Sequence, residues 1–219
     1  MKLKVCGMKY NPSEVMALGP DYLGFIFWEG TPRNFTGEEI PALPREIRAV
    51  GVFVDEAIPV LIERVKTYGL RAVQLHGKES PEYCSELQER LQKENPGVLI
   101  IKAFAIGPGF DFDPLKKYTK VCDLFLFDTR GPLPGGNGTV FNWEQLKAYP
   151  HKTPYFLSGG IGEKDCPKLL AFARTPQAAL CVGIDVNSKF EIRPGEKNID
   201  ALKRFLECGI WKAKTKIAY

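Results

Sequence analysis

This chain of 219 residues contains no run of about 18 consecutive apolar residues, so no membrane-spanning helix is expected. Its first residues already read as a strand rather than a charged leader followed by an apolar stretch, so no signal peptide is expected either. The six cysteines (Cys6, Cys84, Cys122, Cys166, Cys181, Cys208) include no Cys-x-x-Cys pair, no adjacent histidine ligand and no small-domain spacing. Neither a zinc site nor a disulfide framework is indicated, and free thiols point to a reducing compartment, the cytoplasm. With 30 basic and 26 acidic residues the net charge is +4, without the long basic run that tracks a nucleic acid backbone. A small anionic ligand fits better than nucleic acid or membrane. A dinucleotide-binding Gly-x-Gly-x-x-Gly turn is also lacking, since the first strand ends in Cys6-Gly7-Met8-Lys9. No linker divides the chain, and its length suits one α/β barrel, so residues 1–219 are expected to form a single catalytic domain.

What is present is a repeated beat. Continuous apolar runs, the pattern of strands covered on both faces, occur at Leu3 to Cys6, Tyr22 to Phe27, Ala49 to Val54, Ala72 to His76, Val98 to Phe104, Asp123 to Asp128, Pro154 to Leu157 and Leu180 to Asp185. Their mean spacing is roughly 26 residues, the size of a strand-helix unit. Between them lie helical signals. Asn11-Pro12-Ser13-Glu14 reads as an N-cap with proline and acid behind it and Gly19 as a stop. Ile58, Leu61, Ile62 and Val65 form an amphipathic stripe ended by Gly69, and Ser80-Pro81 opens another helix. Asn142 with Gln145 resembles a capping box, and a last helix begins near Asn198. Pro41 and Pro44 interrupt the second unit, and Gly107-Pro108-Gly109 through Pro114 crowd the fifth, so one of those helices should be short or replaced by a loop. Eight such beats favour a closed (β/α)8 TIM barrel over an open doubly wound sheet.

In such a barrel, ligands bind outside the carboxyl ends of the strands. Several of these strands end on a residue that could act there: Cys6, His76, Asp128, Ser158 before Gly159-Gly160, and Asp185. Polar residues also end strands for no chemical reason, but the repetition favours a site. Gly159-Gly160 after the seventh strand and Asn187-Ser188 after the eighth occupy the loops that most often hold phosphate on this fold, where glycine lets backbone N–H groups approach. Cys6 would need thiolate character to accept a proton, since its unperturbed pKa is about 8.5. Lys4, Lys9 and Lys102 are the cations the sequence offers for that. Asp128 ends the run Leu124-Phe125-Leu126-Phe127, an apolar setting that suits a proton donor. The Gly- and Pro-rich segment Thr129 to Thr139 suits a cover over a pocket, and Arg33 in Gly30-Thr31-Pro32-Arg33 could grip a carboxylate bidentately. The other cysteines read as small buried apolar residues.

Seven motifs in order then carry a resemblance: Lys4-Val5-Cys6-Gly7, Thr31-Pro32-Arg33, Val50 to Val54, Val73-Gln74-Leu75-His76-Gly77, Phe127-Asp128-Thr129 with Gly135 to Trp143, Leu157 to Ile161, and Gly183 to Ser188. Together they run along nearly the whole chain, which resembles the phosphoribosylanthranilate isomerase family. The resemblance implies a cofactor-free and metal-free enzyme of tryptophan biosynthesis. It would convert N-(5-phosphoribosyl)anthranilate to 1-(2-carboxyphenylamino)-1-deoxyribulose 5-phosphate by an Amadori rearrangement, as a monomer or homodimer. It further implies Asp128 as acid, Cys6 as base, Arg33 on the anthranilate carboxylate, and Gly159, Gly160, Asn187 and Ser188 around the phosphate. His76 and Asp185 would line the rim near the sugar. Two positions depart from the family pattern. Lys189-Phe190 stands where a glycine-valine pair is expected, and Asn34 where an aromatic is expected. The competing readings are a barrel aldolase that uses Lys102 as Schiff-base nucleophile and an inactive phosphate-binding barrel.

Overall fold

A computed structural model describes residues 1–129 and 142–211. Eight strands close into one parallel barrel in chain order: β1 (Lys2–Cys6), β2 (Tyr22–Ile26), β3 (Arg48–Phe53), β4 (Ala72–Leu75), β5 (Leu99–Ile106), β6 (Leu124–Thr129), β7 (Tyr155–Leu157) and β8 (Cys181–Val186). Closure is made by β1, which pairs with β2 on one side and with β8 on the other, Lys4 lying opposite Asp185. Each of the eight apolar runs read in the sequence became a strand, with ends differing by one or two residues.

The runs are continuous because two cores share them. Along β6, Leu124 and Leu126 join Tyr22, Val50, Ala72, Ile101 and Phe156 in a cluster inside the barrel, whereas Phe125 and Phe127 pack outward beneath the helices. Since successive side chains of a strand point to opposite faces, this parity fixes the direction of every polar residue too. Lys4, Cys6, Gln74, Asp128 and Asp185 fall on the inward face, each flanked by an outward Val5, Val73, Leu75, Phe127 or Ile184. Lys102 falls on the outward face, between the inward Ile101 and Ala103.

The helices between the strands are α1 (Pro12–Met16), α2 (Ile58–Tyr68), α3 (Pro81–Glu94), α4 (Cys166–Phe172) and α5 (Ile199–Leu206). Ser80 and Asn198 cap α3 and α5 as expected, accepting from Tyr83 N and Ala201 N at 3.2 and 3.0 Å. Asn11 does not cap α1; its side chain is turned to the far end of the chain. No helix forms between β2 and β3, where Pro41 and Pro44 remove backbone donors. Phe35 covers the sheet instead, edge-on to Phe25 and Phe27 at 5.0 and 5.9 Å between ring centres. The fifth unit is a 3-10 segment, Asp113–Tyr118, and so is the sixth, Trp143–Ala148. At its start Asn142 accepts from Glu144 N at 3.1 Å, and the reciprocal Gln145 half of the expected capping box is not formed.

Two features were not foreseen. A short antiparallel hairpin, β9 (Glu191–Arg193) and β10 (Glu196–Lys197), follows β8. Cys166 and Cys208 form a disulfide with Cα atoms 5.6 Å apart, which corrects the expectation that all thiols are free. The start of α4 and the turn after α5 meet only in the folded barrel, so 42 residues of separation concealed the pair. Cys6, Cys84, Cys122 and Cys181 are free and buried. Among the described residues no helix is long and apolar enough to cross a membrane. The proposed cover segment after Thr129 and the tail beyond Trp211 lie outside the described residues.

Closing a loop of this length should stabilise the fold by about 2 to 4 kcal/mol. Cys208→Ser, or the wild-type chain in dithiothreitol, is expected to unfold at lower temperature by calorimetry. Equal midpoints for the oxidised, reduced and substituted forms would show that the crosslink contributes nothing to stability.

Candidate active site

At the carboxyl end of a barrel strand the last inward residue has no further layer of side chains above it. Cys6, His76, Asp128, Ser158 and Asp185 hold such positions, and they line one cavity. Arg33, Gly159, Gly160, Asn187 and Ser188 reach the same cavity from the loops, so every site residue expected from the sequence meets there. Lys102 does not line it. Its ammonium is buried on the outer face of β5, against Glu79 at 3.1 Å and the carbonyls of Leu75, Gly77 and Ala103 at 3.0 to 3.3 Å. That placement removes the basis for an aldolase lysine.

The floor of the cavity is charged. Lys4 Nζ donates to Asp185 Oδ1 at 2.7 Å, and Ser158 Oγ donates to Asp185 Oδ2 at 3.1 Å. Burial pulls the Lys4 ammonium towards the neutral form, but Asp185 and then Cys6 more than offset it, and the net shift is upward. Asp185 therefore anchors the floor rather than standing free at the rim. Cys6 sits two residues along the same inward face. Burial pushes its thiol up, Asp185 adds to that, and the cations Lys4 and Lys197 oppose it. Of the cations the sequence offered, Lys4 is the neighbour. Lys9 instead reaches Pro32 O at 3.3 Å near the surface, and Lys102 is elsewhere.

Asp128 faces the cavity from β6. Its Oδ1 accepts from Thr129 N at 2.8 Å, and its Oδ2 lies 3.3 Å from His76 Nε2. Gln74 Nε2 approaches His76 Nδ1 at 2.7 Å. The imidazole therefore sits between the Gln74 amide and the Asp128 carboxyl. His76 is thus a partner of Asp128, a closer role than the general rim position read from the sequence.

The rim is held by a second ion pair. Glu191 receives Arg33 bidentately, from Nε at 3.0 Å and Nη2 at 2.6 Å, and receives Lys197 Nζ at 2.8 Å. Arg33 also lines the cavity. Trp28, which the sequence reading did not single out, supplies an aromatic wall beside Ile26, Val52 and Val54. Asn34 is occupied instead in a bridge to Ile26 and does not line the cavity.

Opposite these, Gly159 and Gly160 adopt φ of 93° and 64°. A side chain at Gly159 would meet Thr129 N at 2.6 Å, so the loop passes too close to β6 for any other residue. Ser188–Phe190 forms one turn of 3-10 helix, and Lys189 lines the cavity without a positive φ. The missing glycine therefore costs no backbone strain there, while lysine, whose stem lies beside Gly162, adds a cationic side chain to the cavity lining. Gln74, Glu191 and Lys197, like Trp28, were missed. Gln74 is legible as an inward position of β4, but nothing local marks Lys197, whose partners are made by tertiary contact.

Comparison with known proteins places residues 3–208 within the model of a family described as N-(5'phosphoribosyl)anthranilate (PRA) isomerase. The N-(5'-phosphoribosyl)anthranilate isomerase of Parabacteroides distasonis is 42% identical, over 94% of this chain and 92% of that one. The protein of the same name from Phocaeicola vulgatus is 38% identical, over 94% and 96%. Among solved structures, phosphoribosyl anthranilate isomerase from Thermus thermophilus superimposes with a TM-score of 0.78 at 25% identity, covering 95% of this chain and 98% of that one. A phosphoribosyl anthranilate isomerase in complex with reduced 1-(o-carboxyphenylamino)-1-deoxyribulose 5-phosphate gives 0.74 at 26% identity, covering 94% and 97%.

The Glu191 carboxyl resists burial, which would raise it, because Arg33 and Lys197 hold it below the ordinary carboxylate range. A group depressed in this way stabilises the fold above its unfolded pKa of 4.5, and that contribution is lost as pH falls through the lower folded value. Glu191→Gln should therefore weaken the fold at neutral pH and reduce the steepness of acid unfolding. Urea titrations at a series of pH values measure this, and parallel curves for the two proteins would contradict it.

Proposed function

Because the chain belongs to the N-(5'-phosphoribosyl)anthranilate isomerase family, we propose that Asp128 and Cys6 are the acid and base of that isomerisation and that Arg33 and the β7 and β8 loops hold its two anionic ends. The enzyme is an isomerase of tryptophan biosynthesis, built as a (β/α)8 barrel. What supports the assignment of roles is one arrangement: a thiol flanked by two cations and a carboxyl paired with an imidazole face the same cavity from β1 and β6.

The chemistry follows from what each group can do. As the general acid, Asp128 delivers a proton to the ribose ring oxygen, and the C1–O bond breaks as the aryl nitrogen lone pair forms the Schiff base. His76 supports Asp128 from the side away from Thr129. The Cys6 thiolate then removes the C2 proton, and those electrons move into the C1–C2 bond while the iminium becomes the enamine nitrogen. The enolamine gains a proton at C1 and loses one from its hydroxyl to give the ketone, so no redox partner is required. Burial makes the Cys6 thiolate scarce near neutrality but a stronger base once formed, and Lys4 and Lys197 offset part of its desolvation.

Substrate orientation uses charge at both ends. The Arg33 guanidinium meets the aryl carboxylate, with Trp28 and the neighbouring aliphatic side chains against the ring. Backbone N–H groups at Gly159 and Gly160, with Ser188 and Lys189, meet the phosphate. The whole chain acts as one catalytic unit, in the cytoplasm, on a small phosphorylated substrate.

Cys6→Ser and Asp128→Asn should each keep the fold, because both substitutions preserve volume, yet lose roughly 10² to 10⁴ in kcat. Substrate generated in place and followed to product measures this; near-native turnover by homogeneous Cys6→Ser would remove the thiol from the base role. Arg33→Ala should act mainly on KM, and Arg33→Lys should recover only part of it, because lysine cannot form the bidentate fork. Unchanged steady-state constants in Arg33→Ala would place the carboxylate elsewhere.

A further inference from the structure

Lysine 197 is fully buried, a costly place for an ammonium. All three of its N–H bonds are used: Asn187 Oδ1 at 2.7 Å, Asn187 O at 3.3 Å and Glu191 Oε1 at 2.8 Å. Burial pulls the ammonium below the ordinary lysine range and Glu191 opposes that, while an oxygen acceptor for each hydrogen is the environment of a charged ammonium. The hairpin that carries it is fastened to the loop after Cys6. Asn11 Nδ2 donates to Lys197 O and Lys197 N donates back to Asn11 Oδ1, both at 2.9 Å, while Tyr10 N donates to Gly195 O at 3.0 Å. Next to Cys6, Gly7 has φ of 76°, and a side chain there would meet Asn187 Oδ1 at 2.6 Å and Arg33 Cδ at 3.2 Å. The amide that Lys197 holds therefore lies directly against the backbone that carries the thiol.

We propose that Lys197 and Glu191 are positioning residues of the isomerase, joining the Cys6 loop and the Arg33 guanidinium through one buried ion pair on the β9–β10 hairpin. The inference rests on the roles given above to Cys6 and Arg33. Lys197 acts on the thiol in two ways, by fixing Asn187 against the Cys6–Gly7 turn and by placing a positive charge near Sγ. Glu191 acts on substrate recognition, because it holds the Arg33 guanidinium bidentately and so sets its orientation at the cavity. A hairpin needs no buried charges for stability, since an apolar pair of similar volume commonly serves as well. Here both charges are directed at groups of the cavity. The charged groups facing Cys6 are Lys4 from β1, Asp185 from β8 and Lys197 from β10, with Glu191 and Arg33 behind the last. Lys4 is neutralised by Asp185, and Lys197 is shared between Glu191 and the site.

The test reads Cys6 without substrate. Iodoacetamide labelling of the Cys6 peptide is followed by mass spectrometry across neutral and alkaline pH, which separates it from the other thiols. In Lys197→Met the labelling profile should move to higher pH by about one unit, roughly tenfold slower near neutrality, with kcat falling in parallel. Lys197→Arg, which keeps the charge, should restore the profile. Should the methionine variant not fold, Lys197→Gln, which keeps a donor without the charge, takes its place with the same expected shift. Glu191→Gln should raise KM by roughly tenfold with a smaller change in kcat, because it releases Arg33. A wild-type labelling profile in the uncharged Lys197 variants would overturn the proposal, as would an unchanged KM in Glu191→Gln. If Cys6→Ser instead kept its turnover, the base assignment would fall, while the labelling profile would still decide whether Lys197 acts on the thiol.

Discussion

Everything at the site depends on the two-residue alternation of strands closed into a ring. A closed barrel leaves no edge, so each inward side chain must be filled against others or satisfied by a partner. Below the mouth the ring is filled by Tyr22, Val50, Ile101, Leu126 and Phe156. One layer higher the same parity presents Cys6, His76, Asp128, Ser158 and Asp185 to open space. The apolar layer fixes the backbone on which the reactive layer stands, and the reactive groups inherit its rigidity. For the same reason Lys102, one residue out of phase with Ile101 and Ala103, belongs to the outer layer and takes no part in the cavity.

The electrostatics of the mouth balance desolvation against pairing. An isolated buried ammonium such as Lys4 would lose its proton; with Asp185 at 2.7 Å it keeps it. Lys4 also lies on the same strand face as Cys6, so a charge needed to stabilise the floor serves the thiol as well. On the other side of the cavity, the backbone amide of Thr129 and the imidazole of His76 divide the two oxygens of Asp128 between them. The Asp128 carboxyl is thereby held in one orientation at the cavity.

The hairpin after β8 adds a second function to a region that barrels vary freely. Loops at the carboxyl ends of the strands can change without disturbing the core, because the core lies beneath them. In this chain that freedom was used to carry a lysine and a glutamate back over the first strand. The Cys6 loop, the Arg33 loop and the hairpin thereby become one hydrogen-bonded unit, although they come from both ends and an early loop of the sequence.

The sequence by itself determined the strands, the barrel and the ends at which chemistry sits. Most of the strands are largely apolar runs buried on both faces, and six of the eight runs stop at, or just before, a glycine or a polar residue. Such patterns are local and survive in one dimension, so Cys6, Asp128, His76, Asp185 and the Gly159-Gly160 turn were legible. Only the tertiary structure decided which cation stands beside the thiol, that Asn11 holds Lys197 instead of capping its helix, that Glu191 grips Arg33, and that Cys166 reaches Cys208. Asn11 and Lys197 are separated by 186 residues and Arg33 and Glu191 by 158, and no propensity or spacing rule spans such distances. These contacts exist because barrel closure sets the first strand beside the eighth, and side chains from the two ends of the chain then share one desolvated rim in which each must find a partner.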